Sequence, residues 1–235
     1  MLQKKFLLAA ASALLFLAMT AIIISYGKSR PAVAAAGFSG RGHVLVIDPG
    51  HGGLDGGAVS AAGQAESAVN LAISLKMRDL ARLLGTEPVL TRTSEALDYP
   101  DESASIHEKK VWDQKARVEM INSTENAVLI SVHQNMFPDP RPSGTEVLYG
   151  KTEGSDLLAT LTQNNLVKFL CPENRRVAAP ISEKIYLFKN VRCPAILVEC
   201  GFLSNPAEAE QLNSDVYRTE LALILTASYF QYTSG

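Results

Sequence analysis

Two histidines and two glutamates stand where short runs of apolar residues break off. His51 follows Val44-Leu45-Val46-Ile47 and an Asp48-Pro49-Gly50 turn. His133 ends the run Ala127-Val128-Leu129-Ile130-Ser131-Val132, and Glu199 ends Ala195-Ile196-Leu197-Val198 just before Gly201. Glu66 opens an amphipathic stretch at the far end of the glycine-rich loop that starts at Gly50. Two neutral imidazoles and one carboxylate around an open fourth position make a catalytic zinc site. Zinc held that way lowers the pKa of water to about 7 and polarises a carbonyl. A second carboxylate, off the metal, can then take the proton of the water and pass it to a leaving amine. Asp48 and Asp55 lie in the same stretch, so on residue type alone they too are candidate ligands.

Taken singly, each of these residues has a bland reading. His51 could be a turn histidine, His133 a satisfied histidine at a strand end, and Glu66 an ordinary acid in a first helical turn. Glu199 is the hardest to explain that way, because a carboxylate closing an Ile-Leu-Val run needs a partner if it is buried. The glycines at 50, 52, 53, 56, 57 and 63 could suggest a phosphate cradle, but the loop lacks the Lys-Ser/Thr that a P-loop requires. Cys200 invites a cysteine-nucleophile reading with His133 as base and Asn135 as orienter. Strand alternation argues against it, since Glu199 and Cys200 are adjacent and must face opposite ways.

Elements of definite type must bring these residues together. Val44–Ile47, Val89–Thr91, Ala127–His133, Thr145–Tyr149, Ile185–Phe188 and Ala195–Glu199 read as strands, several of them apolar enough to be covered on both faces. Helices are expected over 66–84, 111–121, 155–169 and 216–229, the first stopped by Gly85. Strands alternating with helices predict an α/β fold, a three-layer αβα arrangement with a mostly parallel sheet covered on both faces. In such a sheet the carboxyl ends of the strands share one edge, where open α/β folds place their chemistry. Glu66, at the start of a helix, falls on that edge too, and a helix N-terminus favours an ionised carboxylate.

Composition narrows the partners. The four basic residues of the first forty leave 18 basic against 24 acidic residues beyond them, a net charge near −6 that argues against nucleic acid. Cys171, Cys193 and Cys200 are odd in number and lack paired spacing, so neither a disulfide framework nor a cysteine zinc site is expected. Lys4 and Lys5 precede the uncharged apolar stretch from Phe6 to Ile24, long enough for a bilayer span of about 20 residues. Ala32-Val33-Ala34 and Ala34-Ala35-Ala36 are small-x-small sites that a signal peptidase could cut. The expected organisation is an N-terminal anchor or signal with its linker over 1–41, then one catalytic domain over 42–235. Either form of the leader sends that domain across the membrane.

Several segments together resemble the zinc-dependent N-acetylmuramoyl-L-alanine amidases of the amidase 3 type. They are Ile47-Asp48-Pro49-Gly50-His51-Gly52-Gly53, Glu66 with Val69-Asn70-Leu71, Thr91-Arg92, Ser131-Val132-His133-Gln134-Asn135, and Glu199-Cys200-Gly201-Phe202-Leu203-Ser204-Asn205-Pro206. The resemblance implies one Zn²⁺ per chain held by His51, Glu66 and His133, with Glu199 as the catalytic carboxylate and about six strands in the sheet. Asn135 and Arg92, in two of the matching segments, are the candidate substrate contacts. The implied reaction is hydrolysis of the amide between the lactyl group of N-acetylmuramic acid and L-alanine in peptidoglycan. Ser131 to Asn135, and a lone domain behind a membrane segment, look like the sporulation and germination branch acting on spore cortex. Some relatives carry an extra helix that plugs the active site, and the stretch from Tyr149 to Val177 holds only one helix by its pattern. Two other readings are a non-catalytic wall-binding or regulatory protein, which would show a damaged metal set, and a zinc deacetylase or carboxypeptidase, which mass analysis of the products would separate from an amidase.

Overall fold

The computed structural model describes residues 42–234. The expected anchor or signal segment lies outside them; among the described residues no helix is long and apolar enough to cross a membrane. Six strands form one sheet: β1 (Val44–Pro49), β2 (Val89–Leu90), β3 (Ala127–Asn135), β4 (Glu146–Tyr149), β5 (Ala179–Pro180) and β6 (Ala195–Phe202). Their order across the sheet is β2-β1-β3-β6-β4-β5. β1 runs parallel to β2 and β3, and β3 parallel to β6, whereas β4 runs antiparallel to β6.

Among the described residues six helices cover the sheet: α1 (Glu66–Leu83), α2 (Ile106–Ser123), α3 (Ser155–Phe169), α4 (Tyr186–Asn190), α5 (Pro206–Asn213) and α6 (Asp215–Ser234). Strand alternation sorts the core into two layers. Leu45, Ile47, Val128, Ile130, Ile196 and Val198 pack with α1, α3 and α6 through Ile73, Leu158 and Leu225. The intervening residues Val46, Leu129, Ala195 and Leu197 face Ile121 of α2 and Leu187 and Phe188 of α4. Each fully buried aliphatic side chain in these layers contributes roughly 1.5–3 kcal/mol relative to exposure. The three-layer arrangement and the single helix between Tyr149 and Val177 agree with the sequence-based expectations.

Three local differences have physical causes. The segment expected as a strand at 185–188 is the short helix α4. Leu187 and Phe188 are consecutive and both buried in one cluster, which a strand forbids and a helical turn allows. α2 starts at Ile106, five residues before the expected 111, because Ser105 and Glu108 form a reciprocal capping box. α5 precedes the last helix, with Asn205 capping its first turn and Pro206 at its start.

Candidate metal centre

The catalytic edge is built first from backbone. β1 ends in Pro49, and the chain turns so sharply that His51 takes a positive φ of 60°. A non-glycine residue there is uncommon and is held by its surroundings. Two buried arginines do the holding. Arg117 of α2 donates from Nη1 to the Pro49 carbonyl (2.8 Å) and from Nη2 to the His51 carbonyl (2.6 Å). Arg92 donates to the carbonyls of Pro49 (3.0 Å), Gly50 (2.9 Å), Ser67 (2.8 Å) and Ser94 (3.1 Å). Gly50 is required for a steric reason: a Cβ there would lie 2.2 Å from the His133 ring. Gly57, at φ +66°, likewise leaves room for the Glu66 carboxylate and the His51 ring. These glycines route backbone past the side chains of His133, His51 and Glu66.

Asp48, at the end of the same strand, takes no part in the cluster. It is buried and accepts from Arg117 Nη1 (2.7 Å), Thr91 Oγ1 (2.6 Å) and Ser131 Oγ (2.6 Å). Burial pushes its pKa up, but Arg117 and the two hydroxyls outweigh burial and bring it down to about 2. The folded value lies below the unfolded one, so this contribution is present above about pH 4 and is lost as the pH falls toward 2. A shift of that size corresponds to about 2 kcal/mol. Denaturant unfolding of wild type should therefore show stability falling across that window, with a smaller slope in Asp48→Asn.

His51, Glu66 and His133 meet beyond the turn, with one ligand atom from each lying within 4.8 Å of the others. Glu66 Oε1 is 3.3 Å from His51 Nε2 and 3.0 Å from His133 Nδ1. Ligands about 2.0–2.1 Å from a tetrahedral zinc are themselves about 3.3 Å apart, so the two pairs match the spacing of a shared cation. Glu66 is delivered by the first turn of α1. Its amide donates to the Ala58 carbonyl, while Ala58 N–H donates back to Oε2 (2.9 Å) and Gln134 N–H donates to Oε1 (3.1 Å). Although burial works against its charge, hydrogen bonds with His133 and His51 hold the Glu66 carboxyl far below the usual carboxylate range.

Asp55 settles which nitrogen of His51 faces the cluster. Its carboxylate lies 3.1 Å from His51 Nδ1, and Lys110 lies 3.0 Å from its other oxygen. A histidine whose Nδ1–H meets a carboxylate presents Nε2 as the ligand atom, the usual outer-shell support of metal sites. Asp55 is therefore a support of His51, which its spacing four residues on from His51 could have suggested. Burial lowers the pKa of His51, but Glu66 and Asp55 outweigh it and raise the value to about 8.

Glu199 pairs in register with His133 on the neighbouring strand. The ladder continues to Phe202, so Glu199 sits inside β6 and not at its end as expected. It is half-buried, and its Oε2 is buried without a hydrogen-bond partner. Burial, then the charges of Glu66 and Glu146, raise its pKa to about 7 against the opposing pull of His133 and His51. A carboxyl with a pKa near neutrality beside this His-Glu-His group suits proton transfer in both directions. Cys200 points the other way into the core, as alternation requires. Asn135 is half-buried on β3, two residues beyond His133. The expectation of a substrate contact is not met at Arg92: its side chain is 1% exposed and spent on four carbonyls.

A mostly parallel α/β sheet carrying a His-Glu-His cluster and a free carboxyl at one edge defines a hydrolase framework. The chain belongs to the N-acetylmuramoyl-L-alanine amidase family of the amidase 3 type, whose profile matches residues 45–227. It is similar to the germination-specific N-acetylmuramoyl-L-alanine amidase of Bacillus subtilis (strain 168), 34% identical over 192 residues that cover 81% of this chain and 80% of that one. Among solved structures it is similar to the CwlD amidase from Clostridioides difficile in complex with the GerS lipoprotein. That match has 31% identity and a TM-score of 0.78, and covers 82% of this chain and 98% of that one. An N-acetylmuramoyl-L-alanine amidase from Clostridium difficile 630 matches at 27% identity and a TM-score of 0.70, covering 82% and 97%. The chain is thus an amidase that hydrolyses the bond between N-acetylmuramic acid and L-alanine in peptidoglycan.

Proposed function

We propose that the amidase reaction runs on a single zinc ion held by His51, Glu66 and His133, with Glu199 as the proton carrier. The observation that supports this is the donor spacing of 3.0 and 3.3 Å around Glu66 Oε1, beside a carboxyl whose Oε2 has no partner. When bound, the ion supplies Lewis acidity: it acidifies water and polarises a carbonyl oxygen. The residues do the rest. Asp55 keeps His51 in the tautomer that offers Nε2. Glu199 takes a proton from the attacking water as oxygen bonds to the lactyl carbonyl carbon. It then gives that proton to the alanine nitrogen as the C–N bond breaks. Asn135, on the strand that carries His133, is a substrate contact in this reading.

We further propose residues 42–235 as the catalytic domain, behind an anchor or signal over 1–41, exported and facing the cell wall. Peptidoglycan is the macromolecular substrate, and spore cortex is its source in this reading, supported by the likeness to the germination-specific enzyme. The complex of the similar CwlD amidase with a lipoprotein supports a protein partner for this chain too. Chelation is the direct test of the metal. Verified removal of zinc should abolish the release of free L-alanine amino termini from purified peptidoglycan, and zinc added back should restore it. Unchanged release after metal loss would sink the mechanism. Parallel assays on cortex and vegetative peptidoglycan should show faster release from cortex.

A further inference from the structure

Among the described residues, most carboxylates around the cluster have protein partners; Glu199, whose Oε2 is unbonded, and Glu146 do not. Glu66 meets two histidines, Asp55 meets His51 and Lys110, and Asp48 meets Arg117. Glu146 meets none: among the described residues its carboxylate has neither a hydrogen bond nor an ion pair. It lies directly opposite Glu199, because β4 runs antiparallel to β6 with Glu146 in register with Glu199. Opposed residues of an antiparallel pair share a face, with Cβ atoms about 4.5–5.5 Å apart. The next pairs check the assignment. Val147 and Val198 both enter one core layer, and Leu148 and Leu197 both meet the other. Glu146 therefore stands on the face that carries Glu199 and His133, half-buried and open to a ligand. Its charge is felt at Glu199.

Like charges directly opposite each other are destabilising, and among the described residues no cationic side chain bonds Glu146 to offset this. The reaction makes a cation. Hydrolysis breaks the C–N bond, puts the hydroxyl of water on the lactyl carbon, and sends its proton through Glu199 to nitrogen. The new lactyl carboxylic acid loses its proton to solvent and the freed amine takes one up, since an α-amino group has a pKa of about 7.7–8.0. We infer that Glu146 is the residue that receives the amino group of the departing L-alanyl peptide. This rests on the reading of Glu199 as proton carrier, because it places the leaving nitrogen beside that residue.

The test compares two peptides on the zinc-loaded protein by calorimetry at pH 7. One is the released stem peptide with its free L-alanine amino terminus; the other is the same peptide N-acetylated. Glu146→Gln should bind the free-amine peptide about tenfold more weakly than wild type and the acetylated peptide equally well. Product inhibition by the free-amine peptide should fall in step, and Glu146→Asp should recover part of the affinity. Wild-type affinity of Glu146→Gln for both peptides would overturn the inference. So would an equal loss for both, which would mark Glu146 as structural support only. Glu199→Gln is assayed separately: full turnover there would remove the mechanistic reading, whatever the peptides show.

Discussion

Glu199→Gln is expected to lower kcat for the release of L-alanine amino termini by about 10³-fold, within the range of about 10²–10⁴ attached to a positioned acid–base group. The amide of glutamine keeps the volume of the side chain but can neither accept the proton of water nor return it to nitrogen. The variant should still bind one metal ion per chain, because His51, Glu66 and His133 supply the donors. Peptidoglycan binding should also persist, so the loss belongs in kcat with little change in KM. Metal content measured on the same preparation decides the matter. A loss of activity together with a loss of metal would mean that Glu199 supports the cluster and does not carry the proton.

How much of this site could be read in advance depended on whether a signal was local. His51, His133 and Glu66 announce themselves because each interrupts an apolar pattern at a strand or helix boundary, and boundaries on one sheet edge converge by topology. Glu199 could be read as chemistry but not at its true depth in β6, since nothing local in Cys200-Gly201-Phe202 marks where a ladder stops. Glu146 could not be read at all. Its importance comes from the antiparallel run of β4 against β6, and a four-residue strand carries no mark of its direction. Arg92 was legible as a residue of interest but not in its role, because only the folded loop reveals four carbonyls converging on one guanidinium. α4 was misread because a short apolar run fits strand and helix alike until its neighbours choose.

Removal of Arg117 should cost the fold heavily, and nothing in its local sequence sets it apart from the other charged residues of α2. In place, it joins Asp113, Asp48 and the carbonyls of Pro49 and His51 through one buried guanidinium. Arg117→Ala leaves Asp48 buried without its counter-charge, a change that costs about 3–5 kcal/mol in comparable sites. Denaturant unfolding at pH 7 should show that loss. The pH dependence then identifies its origin. Wild type holds Asp48 ionised down to about pH 2, whereas burial without Arg117 favours the protonated acid, raising its folded pKa. A raised folded value gives stability that is present in acid and lost as the pH rises through it. The gap between variant and wild type should therefore narrow as the pH falls, first through the raised value of the variant and then, below about 4, as wild type loses its own contribution. A gap independent of pH would assign the cost to lost packing and lost carbonyl contacts. The same substitution frees the His51 carbonyl, so metal affinity should fall by about 10–100-fold, the range attached to outer-shell support. A variant that lost stability while keeping full metal affinity would separate the two duties of this arginine.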